Sequence, residues 1–439
     1  MVVYDLWALR IARLGEKIAN SHSESSSQAQ SQLFSTLETD DSETANDEED
    51  LLRNSNIKGE KKLADVPNLN DALALCYLGI LTLRLPVTPG DFYAWITDGK
   101  MAYRRATRLL PLAMRDRLPA TFHSVLDYKF PFKHQRFYDT VTDLQLSFSK
   151  DHSIVWPALN VPLLLYRYLR ELALPLEIYD ATIRLADLLG YTFAQKRNGM
   201  QRLGIRHLPE AQLVGCLIVC LKLLYPLDDK ERFPQPTQDP SATRLDWDDW
   251  CRHISPSKAM EPGEKDGFTT EQLIQLQEKD VFSMSPHQID QYLDFYADTF
   301  LDDTEIERSV ENNNFRYALH EMFPIKGNRP SRPLKQLSEE ASLSEQLAVV
   351  KAVQSSVTPV PAVSDDGTAP RILRPGEAYP MWKKAEDLPY RARVLYEHAA
   401  GIAGLSLDML VLAVFFTEAR IEQWRRQQMR QQAEEQEWT

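Results

Sequence analysis

The chain has 439 residues, 43% of them hydrophobic, and a formal net charge of −13; that length suits two or three domains. Only four cysteines occur, Cys76, Cys216, Cys220 and Cys251, too sparse for a disulfide framework and suited to a reducing compartment. No apolar run approaches the ~18 residues of a membrane span, and Met1–Leu14 lacks the features of a secretory signal, so a soluble intracellular protein with no membrane partner is expected.

In chain order, the first periodic segment is Leu6–Ile18, with Leu6, Leu9, Arg10, Arg13 and Leu14 at helical spacing. A lone helix of this length is marginal, so it must pack on something further along. Residues 21–65 follow, Ser/Gln-rich at first and then acidic, with eight acidic residues and no basic one over Glu38–Asp50. Such a stretch repels itself and buries little, which predicts a disordered acidic insert.

From residue 66 the texture becomes apolar. Asn70 or Asp71 is placed to cap a helix over Ala72–Leu83, stopped before Pro86. Thr88, Pro89 and Asp91 open another, carrying Phe92, Trp95 and Ile96. A helix over Met101–Leu110 would set Lys100, Arg104, Arg105 and Arg108 along one face. After a Pro-punctuated connector, Arg136–Phe148 is amphipathic. Pro162 sits in the first turn of a helix over Leu163–Leu174, and Leu176–Leu189 ends at Gly190.

Ala211–Leu224 is apolar nearly all round, the pattern of a helix at the centre of a bundle. Residues 234–265 read as irregular, around Leu245-Asp-Trp247-Asp-Asp-Trp250, where an amphipathic turn docking two tryptophans is expected. Helical spacing returns at Thr269–Lys279 and Pro286–Leu301, residues 327–375 read as a Pro/Ser/Val-rich linker, and two last helices span Pro389–Gly404 and Leu407–Glu437, with Ser406 as N-cap. No strand alternation appears, so the fold class is all-α.

Two segments 139 residues apart look alike. Leu69-Asn-Asp-Ala72 leads through an apolar helix to Leu83-Arg-Leu-Pro86; Leu208-Pro-Glu-Ala211 leads through another to Lys222-Leu-Leu-Tyr-Pro226. Gly79 and Gly215 would let a neighbouring helix approach closely. The match fits either two copies of one helical domain or generic helix composition.

No phosphate loop, H-E-x-x-H, G-x-S-x-G or kinase motif occurs, and no catalytic constellation forms, so the chain is not expected to be an enzyme. Cys216 and Cys220 lie four apart on the most apolar helix with only His207 near; core packing is favoured over metal binding. Basic residues are the better clue. Residues 66–232 carry a net +5 against −18 for the flanks. Lys100, Arg104, Arg105 and Arg108 form one basic set; Lys196, Arg197, Arg202 and Arg206 crowd the turn before the second apolar helix. Either set is a candidate for phosphate contact, which positions a duplex without reading bases, or a solvated face. Arg420–Gln432, with Trp424, Arg425, Arg426 and Arg430, is likewise a docking surface or a charged helix in water.

Three stretches carry a family resemblance: Val3-Tyr-Asp-Leu-Trp-Ala-Leu-Arg10; Leu73-Ala-Leu-Cys-Tyr-Leu-Gly-Ile80 into Leu83-Arg-Leu-Pro-Val87; and Leu159-Asn-Val-Pro-Leu-Leu-Leu-Tyr166 through Leu172-Ala-Leu-Pro-Leu-Glu-Ile-Tyr179, Leu208-Pro-Glu-Ala-Gln-Leu213 and Lys222-Leu-Leu-Tyr-Pro-Leu-Asp-Asp229. Over roughly residues 1–20 and 66–252 the chain resembles the fungal TFIIB-related subunit of the RNA polymerase I core promoter factor. That resemblance implies tandem cyclin-like helical domains. Residues 1–20 would be the first helix of domain one, 21–65 the insert, 66–152 the first cyclin-like domain and 153–326 the second with its irregular insertion. A linker over 327–385 and a C-terminal helical extension over 386–439 would complete the chain.

The resemblance also implies partners: RNA polymerase I, the other core factor subunits, TATA-binding protein and the ribosomal DNA promoter, in the nucleus and nucleolus. The family's N-terminal zinc ribbon is of CxxC type. No CxxC occurs here, so the ribbon is expected to be missing and no cofactor is expected in this chain. The alternatives are a cyclin-like partner of a protein kinase and a helical scaffold.

Overall fold

The computed structural model describes residues 1–24, 68–101, 103, 106–119, 122–123, 126, 132–194, 204–235, 240–254, 268, 270–276, 279–300, 339–363 and 372–437. The first helix, α1, runs Val2–Glu24, four residues into the expected insert; the rest of that insert lies outside the described residues.

Helix α2, Leu69–Thr82, starts at Asn68, whose side chain accepts from the Asp71 N–H at 2.9 Å while Asp71 accepts from the Asn68 N–H at 3.2 Å. This reciprocal box satisfies two orphan donors. The cap thus falls ahead of the expected Asn70 or Asp71. Asn70 is buried instead and accepts from the Tyr103 hydroxyl at 2.7 Å. Helix α3, Pro89–Thr97, repeats the box with Thr88 and Asp91.

The described residues of the helix expected over Met101–Leu110 are not α-helical. Tyr103 is non-helical and buried against Phe132, and only a 3-10 turn, Ala106–Leu109, follows. Burying that ring and its hydroxyl outweighs continuing a short helix. Helix α4, His134–His152, packs along α2. Leu6, Leu75, Leu78, Phe92, Phe137 and Phe148 form the first core. Gly79 lets α1 approach closely, since a Cβ there would meet Val3 Cγ2 at 2.6 Å.

The second core surrounds α7, Pro209–Leu224, buried from Pro209 to Lys222. Helices α5, Val161–Glu171, and α6, Glu177–Leu188, lie against it, α6 closing at Gly190 with φ +63°. In the stretch expected to be irregular, Asp246 Oδ1 accepts from the Asp248 and Asp249 N–H groups at 2.9 and 3.1 Å and starts α8, Trp247–Ile254. Both tryptophans dock as expected, with Trp250 Nε1 donating to the Leu172 carbonyl at 2.9 Å and Trp247 Nε1 to that of Pro226 at 3.0 Å.

Helix α9 spans Pro286–Phe300. The expected linker also holds structure. Helix α10, Glu339–Ser355, packs on α8 and α5 through buried Val353. Thr358–Pro359 (β2) then pairs antiparallel with Thr243–Arg244 (β1). The sequence hid this helix because its apolar face is narrow and Pro-rich chain follows it.

Helices α11, Tyr390–Ala403, and α12, Leu407–Glu437, turn at Gly404 (φ +72°), with Ser406 Oγ accepting from the Met409 N–H at 3.2 Å. They are no appendage: Leu395, Tyr396, Leu410 and Val414 share one core with Leu213 and Leu217. Gly215 lets α12 approach α7, a Cβ there meeting Thr417 Oγ1 at 3.0 Å. The two apolar segments matched in sequence are thus each a core's central helix, with a glycine under the helix lying on it.

The two cores are joined by polar contacts. Arg167 on α5 grips Asp91 of the α3 cap with a two-pronged pair at 2.5 and 2.6 Å. Thr88 Oγ1 donates to the Ile402 carbonyl at 2.6 Å. The Tyr77 hydroxyl on α2 donates to Glu210 at the start of α7. Burial holds the Glu210 carboxyl above the usual carboxylate range, with the Tyr77 hydrogen bond opposing the shift. A carboxyl whose proton is held more tightly in the folded state favours folding at low pH; that contribution is lost as pH rises from the ordinary carboxylate range through the folded value. Glu210→Gln, which keeps an acceptor for Tyr77, should therefore flatten this part of a urea-midpoint-against-pH curve. An unchanged slope would show that Glu210 does not titrate across that range.

Candidate nucleic-acid interface

The basic residues nominated by sequence divide in two. Lys100 is exposed in the turn after α3 and pairs with Asp98 at 3.0 Å. Arg104 and Arg105 lie outside the described residues, and Arg108 has a described backbone, in the 3-10 turn, but no described side chain. Of this set, Lys100 lies in a turn and Arg108 in a 3-10 turn, not on one α-helical face. Lys196, Arg197 and Arg202 also lie outside the described residues. The chain enters and leaves their segment at Tyr191–Ala194 and Gly204–Arg206, however, and Tyr191 and Arg206 line one open cleft of about 610 Å³.

That cleft runs between the end of α6, the 3-10 turn Ile205–His207 and α12. Arg206 lies over the Phe416 ring at 4.9 Å and Arg420 over the Tyr191 ring at 4.5 Å. Trp424 lines the same wall, and no carboxylate lines the cleft among the described residues. Cation–π attraction holds each guanidinium against its aromatic ring, and Arg420 also hydrogen-bonds the Tyr191 side chain. No carboxylate pairs with Arg206 or Arg420 among the described residues. Two fixed cations beside an aromatic wall suit an anionic, partly planar ligand such as nucleic acid. Sequence reasoning found Arg206 but could not place Arg420 and Trp424 beside it, because only the fold brings these distant positions together.

Helix α12 is anchored just before the cleft. Glu418 pairs with Lys222 of α7 at 2.5 Å, and the Lys222 ammonium lies 4.1 Å from the Trp382 ring and 4.4 Å from the Tyr379 ring. Cys216 and Cys220 are core residues; burial pushes the Cys220 thiol up to about 12 and Cys216 higher still. Such thiols are not ready metal ligands or nucleophiles. No single helix among the described residues is long and apolar enough to cross a membrane.

Two helical units, each wrapped round an apolar central helix, define a tandem cyclin-type protein. Family models for the Rrn7/TAF1B N-terminal and C-terminal cyclin domains match residues 1–112 and 130–300, and the chain belongs to the Rrn7/TAF1B family. These proteins are transcription initiation factors, so its role is nuclear and non-enzymatic. The models divide the chain between 112 and 130, whereas α4 packs mainly with the first core.

Among the relatives, the RNA polymerase I-specific transcription initiation factor rrn7 of Schizosaccharomyces pombe is 21% identical over 95% of this chain and 78% of its own. A TATA box-binding protein-associated factor for RNA polymerase I from Rattus norvegicus is 29% identical over 36% of this chain and 28% of its own. A chain in the crystal structure of S. cerevisiae core factor aligns over 84% of this chain and 87% of that one, with 16% identity and a TM-score of 0.44.

Proposed function

We propose that the protein acts in RNA polymerase I initiation as a TFIIB-like core factor subunit. In this reading it bridges the ribosomal DNA promoter, TATA-binding protein and the polymerase, together with the other core factor subunits, in the nucleolus. It needs no cofactor of its own for that role. Family membership favours this over a kinase-partner cyclin or an inert scaffold. The observation that carries the DNA contact is the cleft at Arg206 and Arg420, lined by no carboxylate among the described residues, in a chain of net charge −13. Lys100, Arg104, Arg105, Arg108, Lys196, Arg197 and Arg202 are the further candidates for phosphate contact.

Each phosphate neutralised contributes about 0.9 to the slope of log affinity against log salt. The full chain should bind a promoter duplex with a steep salt dependence, and Arg206→Ala should lower that slope by about 1. Polymerase I subunits and TATA-binding protein should be recovered with the tagged full chain from nuclear extract. Salt-independent DNA binding would remove the phosphate contacts, and recovery of neither protein would remove the bridging role.

A further inference from the structure

We propose that the projecting part of α12 is a DNA-docking helix that lies in the major groove of duplex DNA. This rests on the promoter-binding reading above and adds the element that enters the duplex.

Beyond Ile421, which still packs against the second core, α12 projects, and Gln423, Arg426, Gln427 and Arg430 are exposed. A second open cleft, about 590 Å³ and lined by Met381, Arg426, Arg430 and the carboxylate Glu422, runs along the other flank from the Arg206 cleft. Ala419, Gln423 and Gln427 line both clefts. They therefore form the crest of a ridge, at i, i+4 and i+8. Arg420 and Trp424 lie on one slope and Arg426 and Arg430 on the other.

The charge fits one occupant. The stretch 419–432 that flanks the clefts holds four arginines and a single carboxylate, Glu422, which lies 4.0 Å from Arg425, and the carboxylates Glu434, Glu435 and Glu437 follow only in the last turn of the helix. In a chain of net charge −13 this is a local reversal of sign, and it calls for a polyanion. The shape narrows the choice to a duplex. A helix about 10–12 Å across matches the roughly 12 Å width of the B-form major groove. Clefts on both flanks leave room for the two phosphate walls, with Arg420 facing one and Arg426 and Arg430, beside Glu422, facing the other. The crest offers glutamines, whose amide pairs with the major-groove edge of adenine. The root is held by the buried Lys222–Glu418 pair, so the ridge is presented at a fixed angle to the two helical units.

The test uses the full chain, a labelled ribosomal promoter duplex and a random-sequence duplex of equal length. Arg426 and Arg430 are exposed, and their joint replacement by alanine should leave helicity unchanged by circular dichroism. In the arginine double variant the salt slope should fall by about 2, so the loss of affinity between about 50 and about 200 mM salt shrinks roughly tenfold. Gln423→Ala with Gln427→Ala should leave the slope alone and cut the preference for promoter over random duplex by roughly fivefold or more. Wild-type affinity and slope in the arginine variant would overturn the proposal while leaving promoter binding intact. So would unchanged DNA binding accompanied by loss of a co-purifying protein, which would make the ridge a protein-docking surface. Failure of the wild-type chain to bind either duplex would sink the promoter reading and this inference with it.

Discussion

Lys222→Met alone should lower the unfolding free energy by about 3–5 kcal/mol, the usual effect of stranding one charge of a buried pair. Lys222 and Glu418 are 4% and 3% exposed, which removes the solvent that would otherwise take over. The pair is embedded in a small network: the Lys222 ammonium donates to the Pro380 carbonyl at 2.9 Å, and the Tyr379 hydroxyl donates to Glu418 at 2.9 Å. Burial pulls Lys222 down and pushes Glu418 up, in each case against the attraction of the partner. Glu418 Oε2 has no hydrogen-bond partner among the described residues.

With Lys222 gone, the Glu418 carboxylate must take up a proton or draw water into the core. Replacing both residues, Lys222→Met with Glu418→Leu, should restore most of the loss, because well-packed apolar groups often match or exceed a buried ion pair. Denaturant midpoints of the two singles and the double measure the coupling. Additive losses would mean that the contact stabilises through packing alone.

Gly404→Ala should destabilise on the order of 3 kcal/mol, by two routes that a control separates. Its φ of +72° costs a side chain roughly 1 kcal/mol. In addition, a Cβ at Gly404 would lie 2.2 Å from the Gly90 nitrogen, and one at Gly90 would lie 2.2 Å from the Gly401 carbonyl oxygen. These are backbone atoms, so no rotamer change relieves the clash, and overpacking adds about 1–3 kcal/mol. Gly99 has a similar φ of +70° with nothing near its Cβ position. Gly99→Ala should therefore show the conformational cost alone, and the difference between the two substitutions reports how tightly the α11 end docks on α3. Equal losses would mean that this contact opens freely.

The central helices were legible in the sequence because their signal is local. Ala211–Leu224 is apolar nearly all round, and Pro209 and Pro226 punctuate it. The glycines that admit α1 and α12 were legible for the same reason: a small residue in an apolar helix has few other uses. The cap of α2 was misplaced by two residues because Asn68, Asn70 and Asp71 are all competent caps, and only the pull of Tyr103 on Asn70 decides among them. Tyr103, within the helix expected at Met101–Leu110, is non-helical through the same tertiary contact.

Helix α10 was missed because its partners, α8 and α5, lie far away in sequence; its single fully buried anchor, Val353, carries no periodic signal. The candidate site was half legible. A cluster of arginines before α7 is visible in any reading, but its chemistry depends on Phe416, Arg420 and Trp424 from the last helix. The long stretch between them offers no hint that they meet.

Transcription from a ribosomal DNA promoter in nuclear extract, with this protein removed by antibody and then restored, tests the assignment most directly. Accurate initiation by RNA polymerase I should disappear on removal and return when the full chain is supplied, while transcription by the other polymerases stays constant. Undiminished initiation after complete removal would contradict the account.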